Sequence, residues 1–198
     1  MSQRHSGWKR ESLDRYETPA WVTAALMPHL PKRLHVWECA CGSGNMVRAL
    51  AAAGHTVNAT DVHTGTDFLK VGTAPHGVRA VVSNPPFDQA QGFIEHAIEL
   101  MKPVDGSIAM LLRIDYGCAK TRQHLFGDCP IFARKIELTR RIRWFEGTKG
   151  HPSYNHAWFV WDWQHRGEPA LRYGPVATRA VDHTSTWQKP YHPMEVVP

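Results

Sequence analysis

Leu34-His35-Val36-Trp37-Glu38-Cys39-Ala40-Cys41-Gly42-Ser43-Gly44-Asn45 is the stretch that decides the fold. Its first four residues read as a short buried strand. Glu38 closes that strand, a turn with two glycines follows, and residues 46–53 are helix formers up to Gly54. Strand, glycine turn and helix make the first half of a βαβ unit. The glycines let backbone come close to a ligand, and the helix behind them points N–H groups at an anion. The turn is not a dinucleotide fingerprint, because the third glycine of G-x-G-x-x-G falls at Val47, and the P-loop lysine is missing. It suits a ligand with a carboxylate or a ribose rather than a pyrophosphate. An ordinary strand-to-helix turn reads the same way, so the flanking chain has to decide.

Upstream, Tyr16-Glu17-Thr18-Pro19 is a turn signal, with Thr18 a cap and Pro19 suited to the first turn of a helix that runs to Pro31. Downstream, residues 55–60 alternate as a strand ending at Asp61, and Asp67-Phe68-Leu69 opens a short helix. Residues 78–83 form a β-branched apolar run that stops at Asn84-Pro85-Pro86-Phe87, since neither proline has an N–H for a sheet ladder. A helix over 89–101 places Phe93, Ile94, Ala97, Ile98 and Met101 on one face, and 107–114 is a strand buried on both sides. This rhythm predicts an α/β domain with a parallel sheet covered on both faces. Ligands of such sheets sit at the carboxyl ends of the strands, where Glu38, Asp61 and Asn84 would share one cleft.

Beyond 114 the pattern loosens. Residues 115–128 read as a loop and short helix carrying Lys120 and Arg122. The region 130–142 is a strand with Arg134, Lys135, Arg140 and Arg141, followed by Arg143 and Trp144. A Gly/Pro loop with Lys149 leads to 156–163, an aromatic strand expected in the core. The organisation expected is an arm over 1–15, one domain over 16–163 and a tail over 164–198.

The 198 residues carry a net charge of +5, which permits a polyanionic partner without demanding one. Four cysteines without a zinc spacing read as reduced thiols of a cytoplasmic protein, and no metal is expected. The first ten residues lack the apolar core of a signal peptide, and no run approaches the ~20 residues of a membrane span.

At 84–87 a carboxamide, a proline carbonyl and an aromatic plate stand together, which suits a flat molecule with an exocyclic amino group; a strand ending in a proline turn gives the same letters. A carboxylate at Asp61 suits two ribose hydroxyls, or is simply solvated. The basic stretch 134–143 suits a phosphate backbone, or is a solvated strand face.

Taken together, Glu38…Gly42-Ser43-Gly44, Asp61, Asp67-Phe68 and Asn84-Pro85-Pro86-Phe87, with Tyr16-Glu17-Thr18-Pro19 upstream, resemble the class I S-adenosylmethionine-dependent amino-methyltransferases. More narrowly, they are similar to small phage-type DNA adenine-N6 methyltransferases, over about residues 14–163. The resemblance implies a Rossmann-like, seven-stranded, mostly parallel sheet with helices on both faces. It implies S-adenosylmethionine as cofactor, held by Tyr16, Thr18, Pro19, Glu38, Ala40, Gly42, Gly44, Asn45, Asp61, Val62, Asp67, Phe68 and Asn84. Asn84, Pro85, Pro86 and Phe87 would be catalytic. DNA would lie on Lys120, Arg122, Arg140, Arg141, Arg143 and Lys149, with the protein a monomer or homodimer in a bacterial or phage-infected cytoplasm. Acceptors at Asn84 and Pro85 would localise the lone pair of the target amino nitrogen with no prior deprotonation, and Phe87 would stack on the extruded base. The same tetrad occurs in enzymes that methylate RNA bases or protein glutamine, and a non-catalytic nucleic-acid-binding partner is the reading of another class. No sizeable target-recognition region fits between Phe87 and Asn155, which implies a short or relaxed target site.

Overall fold

The computed structural model describes residues 16–144 and 154–174. In chain order the strands are β1 (His35–Glu38), β2 (Thr56–Ala59), β3 (Ala80–Ser83), β4 (Ser107–Arg113), β5 (Phe132–Leu138), β6 (His156–Asp162) and β7 (Ala170–Gly174). The helices are α1 (Ala20–Leu26), α2 (Asn45–Ala52) and α3 (Ala90–Met101), with short 3-10 turns between them. The seven strands form one sheet in the order β2-β1-β3-β4-β6-β5-β7. All pairings are parallel except those of β6, which runs against both β4 and β5. The expected α/β, mostly parallel architecture is therefore the observed one.

The two faces bury separate cores. Trp37, Val81, Ile108, Met110, Phe159 and Trp161 point to the side of α3. Val36, Val82, Ala109, Leu111, Trp158 and Val160 point to the side of α1 and α2. Alternation along a strand sends successive side chains to opposite faces, so a strand covered on both sides must be apolar throughout. β4 and β6 satisfy this rule: Ile108 to Leu112 and Ala157 to Trp161 are all buried. The β6 tryptophans also satisfy their polar ends. The Trp158 indole N–H donates to the Val22 carbonyl at 2.9 Å, and that of Trp161 to the Leu125 carbonyl at 2.7 Å.

Local boundaries depart from expectation at three places. The N-cap of α1 is Pro19, not Thr18, and no side chain caps it. The run over 115–128 forms 3-10 turns rather than a helix. The expectation of a tail from 164 onward is corrected by β7, which pairs in parallel with β5 from Arg134↔Ala170 to Leu138↔Gly174. β7 is an edge strand with exposed Leu171 and Tyr173, so it lacks the burial pattern that marks a strand in sequence. Its last residue sits tight under α1: a Cβ on Gly174 would lie 3.0 Å from Ala25 Cβ and 3.1 Å from the Ala25 carbonyl. Gly174→Val is therefore expected to destabilise the fold by about 1–3 kcal/mol in urea unfolding; an unchanged midpoint would mean that β7 is not docked there.

In doubly wound nucleotide-binding sheets a third strand lies outside the second. Here β2 is the edge, and the seventh strand is added at the far side instead. The carboxyl ends of β1, β2 and β3 thus stand together beside an open sheet edge.

Candidate functional site

A cleft of about 730 Å³ opens at those strand ends, within the size range of small-molecule sites. Glu38 at the end of β1, Asp61 after β2 and Asn84 after β3 all line it.

The glycine turn forms the floor. Gly42 and Gly44 have φ of +51° and +86°, a region closed to most side chains, and Gly44 is the N-cap of α2. The anion site was expected at the N–H groups of the helix behind the turn; the turn's own N–H groups are all taken up within the protein. Ala40 N–H donates to Glu38 Oε1, Cys41 N–H to the Thr60 carbonyl, Gly42 N–H to Asp61 Oδ2, Ser43 N–H to Glu17 Oε1 and Gly44 N–H to the Cys41 carbonyl. Every N–H from Ala40 to Gly44 has a protein acceptor. The turn is an internally satisfied shelf, not an anion cradle.

Asp61 does more structural work than a ribose ligand alone. Its Oδ2 takes the Gly42 N–H and its Oδ1 the His63 N–H, each at 2.9 Å, and it forms a capping box with Thr64. Each carboxylate oxygen keeps a further lone pair for a ligand hydroxyl. Asp61 thereby locks the β1–α2 turn to the chain leaving β2.

Glu38 is 1% exposed. Its Oε1 accepts the Ser83 hydroxyl at 2.7 Å and the Ala40 N–H at 3.0 Å. Burial pushes its carboxyl up to about 7, against the pull of those two donors, and the Asp61 charge pushes the same way as burial. A carboxyl with raised affinity for its proton stabilises the fold most below its ordinary value of 4.5, and that contribution is lost as pH rises through about 7. The loss amounts to roughly 3 kcal/mol, at ~1.4 kcal/mol for each tenfold change in proton affinity. Glu38→Gln keeps a neutral acceptor for both donors. It is expected to flatten the fall in stability between pH 5 and 8, measured by urea unfolding; an unchanged slope would assign the pH dependence elsewhere.

The cleft is lined by five acidic side chains, Glu17, Glu38, Asp61, Asp67 and Asp88, and by no lysine or arginine. In a chain of net charge +5 this is a local inversion. Val62, 62% exposed, stands on the rim beside it. Phe68 lines the cleft, but its ring is 2% exposed and packs on Trp37 and Phe93, so it is chiefly a core side chain. Asp67 accepts the Leu69 N–H and pairs with Lys70 on the surface.

Asn84 stands where this cleft meets an aromatic cluster. Its Nδ2 donates to the Tyr16 carbonyl at 3.3 Å, while its Oδ1 is buried without a hydrogen-bond partner. Tyr16 lies 5.7 Å from Phe87 and 5.4 Å from Trp144, and His156 lies 6.4 Å from Phe87 and 5.2 Å from Trp144, centroid to centroid. The four rings close a circuit at the strand ends. His156 is 2% exposed, its Nδ1 has no partner, and burial with the Arg113 charge pushes its imidazole down to about 4.

Of the residues expected to hold a cofactor, Tyr16, Thr18, Glu38, Ala40, Gly42, Asp61, Val62, Asp67, Phe68 and Asn84 line the cleft. Pro19, Gly44 and Asn45 do not; Pro19 and Gly44 are helix caps, and Asn45 is held by Arg48. Pro86 lines the cleft, whereas Phe87 belongs to the aromatic circuit and Pro85 is buried between. Glu17, Ser43, His63, Asp88 and Gln89 are cleft residues that the sequence reading did not assign. Glu17 lay in a quoted turn, but its reach to Ser43 crosses 26 residues and has no local signature.

The expected nucleic-acid residues are spread more widely. Arg140 stacks on Trp21 at 3.9 Å, Arg141 Nε donates to Asn155, and Arg143 is exposed. Arg122 is pinned on the Tyr116 ring and carbonyl, Lys120 is exposed beside it, and Lys149 lies outside the described residues. Arg113, at the carboxyl end of the central strand β4, lies over Tyr154 at 4.3 Å and pairs with Asp115; it is a guanidinium the sequence reading did not assign. No group of side chains among the described residues is arranged to hold a metal, and none of their helices is long and apolar enough to cross a membrane.

Sheet order, the single reversed strand and a cleft at the ends of β1–β3 define a Rossmann-like methyltransferase fold. Among solved structures, the chain is similar to one from Listeria monocytogenes described as a class I S-adenosylmethionine-dependent methyltransferase, with a TM-score of 0.53 and 12% identity over 82% of this chain and 66% of that one. It is also similar to a type I restriction-modification methyltransferase subunit from Streptococcus thermophilus, with a TM-score of 0.49 and 14% identity over 76% of this chain and 45% of that one. The chain thus spans about two thirds of the first protein and less than half of the second. At these identities the likeness is one of fold alone. No protein-family model matches the sequence, and no curated protein does.

Proposed function

We propose that the chain is an S-adenosylmethionine-dependent methyltransferase acting on the N6 amino group of adenine in DNA, at a short or relaxed target site. The observation that carries this reading is the Asn84 carboxamide oxygen, buried without a partner at the inner end of an acidic cleft. Buried polar atoms are nearly always paired, so an orphaned acceptor beside a ligand cleft marks a group awaiting a donor.

The cleft fits the cofactor by charge. Five acidic side chains with no lysine or arginine suit a cation and repel phosphates, which argues against a nucleotide or dinucleotide. When bound, S-adenosylmethionine supplies a methyl group on a positively charged sulfur. Glu17, Glu38 and Asp88 would offset the cationic parts, Asp61 would accept hydroxyls, and the exposed Val62 would cover an apolar face.

The remaining work falls to the chain. Asn84 Oδ1 accepts one N–H of the target amino group, and the Pro85 carbonyl is the neighbouring acceptor. Both bonds favour a pyramidal nitrogen, whose lone pair is then available for the methyl group. A neutral amide takes no proton beforehand, so the proton leaves only after transfer. Phe87 offers its ring to the extruded base.

Transfer of labelled methyl from S-adenosylmethionine to duplex DNA, single-stranded DNA, RNA and a release-factor protein tests the reading. N6-methyladenine in DNA is the expected product. Transfer to RNA or protein alone would overturn the assignment to DNA, and cofactor binding without transfer to any substrate would favour the non-catalytic role. The short site is checked by mapping methylated positions on genomic DNA: a long, strict recognition sequence for the isolated monomer would refute it.

A further inference from the structure

We propose that His156 is a specificity-determining residue of the target pocket, its Nδ1 reading the edge of a purine opposite the amino group that Asn84 holds. The inference rests on the methyltransferase reading and adds to it the means by which adenine is told from cytosine.

The argument begins with two buried polar atoms. Asn84 Oδ1 and His156 Nδ1 both lack hydrogen-bond partners, and the Phe87 ring, three residues after Asn84 in the chain, lies 6.4 Å from the His156 ring. A buried imidazole nitrogen left unpaired in an apolar setting costs free energy unless something is to meet it. His156 is the first residue of β6, and strand pairing does not require histidine there: its backbone pairs with Arg113, and its ring packs against Phe87 and Trp144 and faces the Tyr154 carbonyl. The ring nitrogen is what histidine adds.

The spacing selects the ligand. β3 and β6 flank β4, so Asn84 and His156 stand two strands apart. At about 4.8 Å per strand, two strand spacings come to roughly 10 Å. A bicyclic purine held by its amino group at Asn84 extends farther toward His156 than a single-ring pyrimidine held the same way, and on this difference the proposed selectivity rests.

The pocket is covered in this structure. Tyr16 touches both Phe87 and Trp144, and Trp144 touches His156. A base that stacks on Phe87 takes the place of the Tyr16 ring that packs there and enters the ring circuit that holds His156. The groups facing the imidazole are Arg113 and Asp115 from the end of β4, the Tyr154 carbonyl, and the two aromatic rings. A neutral histidine has one donor and one acceptor nitrogen; with its N–H turned to the Tyr154 carbonyl, the unpartnered Nδ1 is left as an acceptor for the purine edge.

The test is selectivity. Wild-type protein, His156→Phe and His156→Asn are each given mixed-sequence DNA and S-adenosylmethionine, and N6-methyladenine and N4-methylcytosine are quantified after digestion. His156→Phe keeps the ring and loses the nitrogen; it is expected to lower the adenine-to-cytosine product ratio tenfold or more. His156→Asn returns a polar atom near the Nδ1 position and is expected to recover much of that ratio, with cofactor affinity unchanged in both variants. An unaltered ratio in His156→Phe would overturn the inference. So would a loss that asparagine fails to recover and that follows the unfolding midpoint, since that is a packing effect. If the wild type itself methylates no DNA, the proposed function fails first; a wild type that methylates adenine beside an unaltered His156→Phe defeats the specificity role alone.

Discussion

Asn84→Ala is expected to slow methyl transfer by about two to three orders of magnitude while leaving cofactor affinity within a few-fold. The substitution removes a carboxamide oxygen that is buried without a hydrogen-bond partner beside the cleft. Its effect falls on the transition state, because the hydrogen bond strengthens as positive charge develops on the attacking amino nitrogen. The cofactor is held by other side chains, so its dissociation constant should hardly move. The structural cost is small: the Nδ2 bond to the Tyr16 carbonyl is 3.3 Å long and contributes ~1 kcal/mol at most. Single-turnover transfer with labelled cofactor, beside a binding titration and a thermal melt, separates these effects. A rate within tenfold of wild type would sink the mechanism, and a large loss of cofactor affinity would relocate Asn84 from the amino group to the cofactor.

Trp158→Ala is expected to remove about 3–5 kcal/mol of stability, a large share of the 5–15 kcal/mol that holds a domain together. Trp158 is fully buried in β6 among Val22, Val36, Leu111 and Ile136. Truncation leaves a cavity at the centre of the sheet and takes the indole N–H from the Val22 carbonyl of α1. Since β6 is the strand that joins β4 to β5, the loss is expected to unfold the sheet as a unit rather than loosen one edge. Urea unfolding followed by circular dichroism measures it. Val62→Ala, at a residue 62% exposed, is the control and should stay within ~0.5 kcal/mol. Comparable midpoints for the two variants would show that β6 is not the core strand described here.

The parts of the site legible in sequence were those with local punctuation. Glu38 and Asn84 close apolar runs, Asp61 closes an alternating segment, and each precedes a glycine or proline turn, so their place at strand ends could be read without knowing the strand order. The same logic located the aromatic strand β6 in the core, because Trp158 and Trp161 alternate with other apolar residues in a segment covered on both faces. The glycine turn was located correctly, but its bonding was not legible. Besides Glu38 and Cys41 close by, its N–H groups find Glu17, Thr60 and Asp61, supplied by chain segments on either side, and no local pattern announces these.

What the sequence by itself determined was the α/β alternation, the two-sided core and the three residues at the cleft, because periodicity and chain punctuation act over a few residues. Tertiary structure alone decided the rest. It placed β7 beside β5, a long-range pairing with an exposed face and hence no hydrophobic signature. It gathered five acidic side chains from separate segments into one cleft that no lysine or arginine lines. And it left Asn84 Oδ1 and His156 Nδ1 buried and unpaired around one aromatic ring, since satisfaction of a polar atom depends on everything that packs against it.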